Sequence, residues 1–213
     1  MKSIHLQNLV VRYPALAECS PVIEAALDVL SATFRKGGKV LLCGNGGSAA
    51  DAEHIAGELM KGFLLRRPLP ADESEKLNAA AGENISAYLQ GALPAVALTG
   101  HLALSTAISN DNRADMIFAQ QVYGLGRPGD TLLGISTSGN SANVVQAFHV
   151  ARMKGMHTIS LTGRPGGRLR PLADVAICVP ACTVVEVQEF HLPVYHAICA
   201  ELEACFFQDK NAL

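Results

Sequence analysis

The sequence predicts an α/β fold: a three-layer α/β/α sandwich around a five-stranded parallel sheet, with an N-terminal helix and a long C-terminal helix. Two observations carry this expectation. Five apolar runs of strand length lie at residues 39–43, 95–98, 131–135, 158–161 and 175–179, and the first four each end in a cluster of glycine, serine or threonine. Stretches of helical periodicity alternate with them, and near-continuous apolar strands separated by helices mark a parallel sheet covered on both faces.

Each element has its own local signal. Ser20-Pro21 reads as an N-cap with proline at N1, and Gly37-Gly38 closes the helix that runs through Leu30 and Phe34. A shorter helical piece precedes it, interrupted at Pro14. After the first strand a helix starts near Ala49, and after the third a helix spans 142–154. The last helix, about 186–207, carries Leu192, Tyr195, Ile198, Cys199, Leu202 and Phe206 at three-to-four spacing, a stripe for the sheet or for another subunit. Residues 64–93 break the rhythm. Such a long connection, with Arg66-Arg67-Pro68 and Asp72-Glu73-Ser74-Glu75 in it, is expected to make a helical excursion over 75–89. The chain is therefore read as one domain, 1–213, with an inserted segment at about 64–94.

Composition narrows the function classes. Seventeen Lys+Arg against nineteen Asp+Glu give a formal charge of −2, and there is no Trp and only 5% aromatic residues. Neither electrostatics nor base stacking argues for nucleic acid or an anionic membrane as partner. Mean hydropathy is +0.23, yet no apolar run approaches the roughly 20 residues of a membrane span, so the surplus apolar surface is assigned to the core or to subunit contacts. Residues 1–12 show no basic segment followed by an apolar one, so a cytoplasmic location is expected. Six cysteines without a C-x-x-C pair are read as buried free thiols.

Two loops carry chemistry. Gly44-Asn45-Gly46-Gly47-Ser48 joins the first strand to a helix, where glycines bring N–H groups close to an anion and the helix terminus adds partial positive charge. It has neither the Lys-Ser/Thr ending of a P-loop nor the G-x-G-x-x-G spacing of a dinucleotide fold. Ser136-Thr137-Ser138-Gly139-Asn140-Ser141 follows the third strand, a neutral donor cluster suited to the oxygens of a phosphomonoester; caps and Ser/Thr turns are the plainer alternative. Both loops sit at carboxyl ends of strands, where open α/β sheets bind ligands. The third turn, Thr162 to Gly167, is read simply as a tight loop.

Among the ionisable residues, His54 and Glu58 lie four apart on one helix face, spaced for a shared metal, for a base with its orienting partner, or for an ordinary surface pair. Gln188, Glu189, His191 and His196 cluster near the start of the last helix, and spacing alone does not choose between the two histidines. Eight residues of straight helix part Gln188 from His196 by about 12 Å. A common site therefore needs Gln188 to lean inward or a second subunit to contribute. His5, His101, His149 and His157 have no partner pattern.

Taken in order, Gly44-Asn45-Gly46-Gly47-Ser48-Ala49-Ala50-Asp51-Ala52-Glu53-His54, then Asn110-Asp111, Gly126-Arg127-Pro128-Gly129-Asp130, residues 135–141, and Gln188-Glu189 through His196 closely resemble the sugar isomerase (SIS) domain family. Within it they are similar to the phosphoheptose isomerases. The resemblance spans most of the chain and implies a flavodoxin-like sheet. It implies that Ser48, Ser136, Thr137, Ser138 and Ser141 bind phosphate, and that Asn45 and Asp111 line the sugar site with Gly46, Gly47 and Gln188. His54, Glu58, Gln188 and His196 match zinc ligands, one Zn²⁺ per site, with Glu58 and His196 also the acid/base pair. A homotetramer with active sites at subunit junctions is implied too.

Aldose–ketose exchange moves a proton between C1 and C2 through an enediolate, and a carboxylate with an imidazole is the minimum equipment. The sequence is accordingly read as an isomerase of sedoheptulose 7-phosphate to D-glycero-D-manno-heptose 7-phosphate, feeding lipopolysaccharide heptose synthesis. The alternatives are a non-catalytic phosphosugar-binding regulator, of the type associated with replication initiators, and an isomerase of another phosphosugar. Glu186 stands where relatives commonly have Arg, and the connection 64–93 is longer than theirs.

Overall fold

A computed structural model of the chain describes residues 4–208. It has one five-stranded sheet, all parallel, in the order β2-β1-β3-β4-β5, where β1 is Val40–Cys43, β2 Ala95–Ala97, β3 Thr131–Ile135, β4 His157–Thr162 and β5 Val175–Cys178. The helices are α1 Ile4–Arg12, α2 Ser20–Arg35, α3 Gly47–Met60, α4 Ala71–Ala81, α5 Leu102–Asp111, α6 Ile117–Leu125, α7 Ala142–Met153 and α8 Val184–Phe207. The α/β reading and all five strands hold within two residues. Pro14 separates α1 from α2 as expected, by a 3-10 turn over Pro14–Cys19. Because that turn runs straight into α2, Ser20 is the first helical residue, and Cys19, without a side-chain cap, holds the N-cap position expected of Ser20.

Side chains alternate between the two faces of the sheet. Val40, Leu42, Leu133 and Ile135 pack with α1, α2, α3 and α8; Leu41, Cys43 and Leu132 pack with α6 and α7. Helix α8 begins two residues ahead of the expected start. Thr183 caps it by accepting the Glu186 N–H at 3.3 Å, while its hydroxyl donates to the Glu186 carboxylate at 2.8 Å. Both bonds run through the Thr183 hydroxyl, and holding it gives the Glu186 carboxylate a local structural task.

The excursion needs a correction. Its helix is α4, starting at Ala71 rather than 75 and stopping at Gly82, with a separate 3-10 turn at Ile85–Tyr88. Asp72 and Glu73 favour a start directly after Pro70, where carboxylates meet the positive helix end. The segment closes on itself: the Gly91 N–H donates to the Arg67 carbonyl at 2.7 Å, and the Gly62 N–H to the Gln90 side chain at 2.7 Å. The chain thus leaves and rejoins the sandwich at one place, and β2 pairs with β1 undisturbed.

All six cysteines are free thiols, but only Cys19, Cys43 and Cys199 are buried; Cys182 and Cys205 are exposed, in the turn before α8 and beside Arg35. Apolar neighbours in sequence did not suffice to bury them. Burial raises the Cys43 thiol to about 12. No described helix is long and apolar enough to cross a membrane.

Candidate active site

The strand order reverses between β1 and β3: from β1 the chain goes to β2 on one side and later returns to β3 on the other. Crevices form at the carboxyl ends of strands at such a switch point. The two loops singled out in the sequence flank this one. Gly46, at φ 56°, turns the backbone from β1 into α3 in a conformation that L side chains avoid. Across the crevice the Ser136 and Ser141 hydroxyls stand 2.9 Å apart. Ser141 precedes α7 but does not cap it with its side chain; the Val144 N–H is taken by Asn143 instead. The Ser141 hydroxyl is therefore free of capping duty, whereas the Ser138 hydroxyl accepts the Asn140 N–H at 3.2 Å in a local turn. Asn45 and Asn143 exchange two amide hydrogen bonds, of 2.9 and 2.8 Å, and tie the loops together.

Two turns along α3, the ionisable groups meet. His54 Nε2 lies 3.1 Å from Glu58 Oε1 and 3.5 Å from His196 Nε2 of α8. His54 Nδ1 lies 3.1 Å from the Tyr195 hydroxyl, which donates its proton to Asp51 at 3.1 Å. With its proton committed, the Tyr195 oxygen accepts from Nδ1–H. Nε2 is then the nitrogen left facing Glu58 and His196: carrying a proton it donates to the Glu58 carboxylate, and without one it offers a lone pair. Glu58 Oε2 is buried without a hydrogen-bond partner, the Lys61 ammonium standing off at 3.6 Å. Burial first, then the charge on His54, holds His196 below the ordinary histidine range, against an upward pull from Glu58. Desolvation lifts the Asp51 carboxyl above the usual value, opposed by the Tyr195 bond and His54.

A SIS domain model matches residues 11–86 and 73–163. The chain belongs to the SIS domain family. Among curated relatives, the phosphoheptose isomerase of Roseiflexus sp. is 43% identical over 190 residues, covering 89% of this chain and 85% of that protein. The solved phosphoheptose isomerase GmhA of Neisseria gonorrhoeae superposes with a TM-score of 0.72 at 36% identity, over 93% of this chain and 99% of that one. The phosphoheptose isomerase of Francisella tularensis does so with 0.71 at 32% identity, over 95% and 99%.

Within this SIS chain, then, His54, Glu58 and His196 converge, and so do Asn45, Gly46, Gly47 and Ser48 with Ser136, Thr137, Ser138 and Ser141. Gln188 does not join the histidines. Its side-chain amide packs on Gly47, seven residues before His54 and about 10 Å up the α3 axis. As placed, no three His, Cys, Asp or Glu side chains among the described residues form a ready metal cage, since Glu58 and His196 each face His54. Asp111, at the exposed end of α5, accepts from its neighbour Asn110. His191, which spacing could not separate from His196, is fully buried, and burial lowers it to about 4. Sequence reasoning missed Asp51, Tyr195 and Asn143. Tyr195 was counted in the apolar stripe, and its hydroxyl was the available clue.

Proposed function

We propose that this SIS-domain chain is a phosphoheptose isomerase, interconverting sedoheptulose 7-phosphate and D-glycero-D-manno-heptose 7-phosphate. The observation that carries the reading is the meeting of Glu58 and His196 at His54, beside a hydroxyl-lined crevice, in a chain akin to proteins of that name over most of both lengths. Ser48, Ser136, Thr137, Ser138 and Ser141 donate to the phosphate, and Asn45 and its glycine neighbours hold the sugar. From the ketose, Glu58 takes a C1 proton while His196 delivers a proton to O2, giving the enediol. Glu58 then returns its proton to C2 as the O1 proton passes to His196, and the aldose forms with no net gain or loss of atoms. A largely neutral imidazole suits this step, because enediol oxygens are themselves weak acids.

Zinc fits the donor set. Two imidazoles and a carboxylate are the donor types that zinc takes, and Glu58 Oε2 has no hydrogen bond; as placed the three do not yet enclose an ion, so holding one requires the side chains to turn toward a common point. His54, Glu58 and His196 would hold the ion, with Gln188 a fourth ligand once it leaves Gly47 or comes from another protomer. Bound there, Zn²⁺ would polarise the substrate carbonyl. With the ion bound, Glu58 would have to act as both ligand and base, and Oε2, which has no hydrogen bond, is an oxygen it could use.

The assembly proposed is a cytoplasmic homotetramer. Exposed Val184, Val185, Leu192, Leu64, Leu102 and Leu104 supply apolar surface for it. A phosphosugar-binding regulator is the weaker reading, since binding alone needs neither Glu58 nor His196.

The test is incubation of purified protein with sedoheptulose 7-phosphate in D₂O, followed by proton NMR with and without chelator. Turnover with deuterium appearing at C2, abolished in Glu58→Gln, is expected. Binding without turnover in the wild type would transfer the chain to the regulators.

A further inference from the structure

We infer that the turn after β4, residues 162–167, is a positioning element for the phosphate cradle, holding the backbone of the 136–141 loop from behind. The inference rests on the phosphate role proposed above for that loop. Three hydrogen bonds join the turn and the two residues after it to the loop. The Gly163 N–H donates to the Thr137 carbonyl at 2.9 Å, the Leu169 N–H to the Gly139 carbonyl at 3.0 Å, and the Arg168 N–H to the Asn140 side-chain oxygen at 3.0 Å. The two backbones are in direct contact. A Cβ on Gly139 would collide with the Gly166 carbonyl, and a Cβ on Gly167 would stand 2.5 Å from the Ser138 carbonyl oxygen and 2.7 Å from that of Gly139. All three glycines have positive φ, 68°, 97° and 54°.

On its other side the turn is pinned to the start of α8. Gly163 abuts Val187, and the Arg164 N–H donates to the Ala181 carbonyl at 2.9 Å. Gln188, next to Val187, packs on Gly47 of the first loop. Both anion-facing loops are therefore braced through one short segment and one helix start. The Arg164 guanidinium is engaged by Glu18.

Bracing matters here because of how the cradle binds. Serine and threonine hydroxyls attract a phosphate only through short, directional hydrogen bonds, which weaken steeply with misalignment. A shift of the loop spoils several of them together, and the loss appears in binding rather than in proton transfer.

Gly167→Ala tests this by driving a methyl group into the carbonyls of Ser138 and Gly139. Gly129→Ala is the control: φ is 85° there as well, but its Cβ would meet nothing within 4 Å. Both variants are expected to lose a few degrees of melting temperature. Only Gly167→Ala raises the KM for sedoheptulose 7-phosphate and the Ki of inorganic phosphate as a competitor, each by about tenfold, with kcat within about threefold. Asn140→Ala, which removes the bond from the Arg168 N–H together with the Nδ2–H bond to the Ser138 carbonyl and adds no clash, raises both by about threefold and decides the matter if Gly167→Ala does not fold. Wild-type KM and Ki in folded Gly167→Ala, or equal changes in Gly129→Ala, overturn the inference. Failure of inorganic phosphate to compete even in the wild type removes the phosphate role of the loop, and the bracing role with it.

Discussion

Arg67→Met is expected to be the most damaging single change outside the crevice. Arg67 is 1% exposed and Glu203 0%. The guanidinium donates to Glu203 Oε1 at 2.8 Å, to the Leu59 carbonyl at 2.7 Å and to the Glu58 carbonyl at 2.9 Å, and lies over the Phe207 ring at 4.6 Å. Glu203 accepts in addition the N–H groups of Phe63, Leu64 and Leu65 at 2.7, 2.7 and 3.0 Å. One ion pair thus closes the end of α3, starts the excursion and fastens α8. Removing the arginine leaves Glu203 charged and buried and frees two carbonyls, a cost of about 3–5 kcal/mol. For a chain of this size that lowers the melting temperature by about 6–20 °C. With no Trp to report, the assay is circular dichroism at 222 nm at fixed protein concentration. Glu203→Gln in the Arg67→Met background should recover about 2 kcal/mol relative to the sum of the single changes, because the unpaired charge is then gone. Burial pushes the Glu203 carboxyl up, but the Phe63 and Leu64 amides and Arg67 outweigh it and hold it below the usual 4.5. The clamp is accordingly intact above pH 4.5 and weakens as pH falls through the lower folded value. A melting temperature for Arg67→Met within about 2 °C of wild type, or strict additivity in the double variant, would refute the reasoning.

Tyr195→Phe keeps the ring against His54 and His196 but deletes the hydroxyl that fixes the His54 tautomer. Zinc affinity, measured by chelator competition, should fall by about 10- to 100-fold; an unchanged affinity would free His54 of any dependence on Asp51 and Tyr195. His191 makes no hydrogen bond of ordinary geometry, and burial, against a smaller opposing pull from the Thr162 backbone, holds it near 4 instead of 6.5. Below pH 6.5 the unfolded chain takes up a proton that the fold refuses. Stability should therefore drop by up to about 3 kcal/mol between pH 6.5 and 4, read as a shift in urea midpoint that His191→Phe abolishes. Replacing residues 69–89 by a short Gly/Ser linker should shift the melting temperature by only a few degrees, because Gly91 already bonds to Arg67; collapse of the fold would mean that α4 supports the core after all.

The sheet was legible because its signal is local and redundant. Each buried parallel strand is a continuous apolar run, as in Val40–Cys43 and Thr131–Ile135, and needs no knowledge of its neighbours. The excursion was less so. No residue of α4 is buried, so no apolar face marks its limits, and its start depends on Pro70, Asp72 and Glu73. Least visible was Arg67. In sequence it belongs to a basic pair beside a proline, and nothing nearby announces that Glu203, 136 residues on, will bury it.

The site divides along the same line. His54 with Glu58 is a spacing within one helix and could be seen; His196 with His54 is a packing of α3 on α8, which spacing could not show and only the family resemblance implied. That packing also explains why Gln188 stands apart. It touches α3 at Gly47, while His196 touches it at His54, so advancing along α8 advances along α3 and the two helices run parallel. The roughly 12 Å between Gln188 and His196 maps onto roughly 10 Å between Gly47 and His54. Parallel helices cannot bring both residues to one point while both contacts last. Any site that uses Gln188 with the two histidines must therefore break the Gln188 contact with Gly47 or join α8 of one protomer to α3 of another.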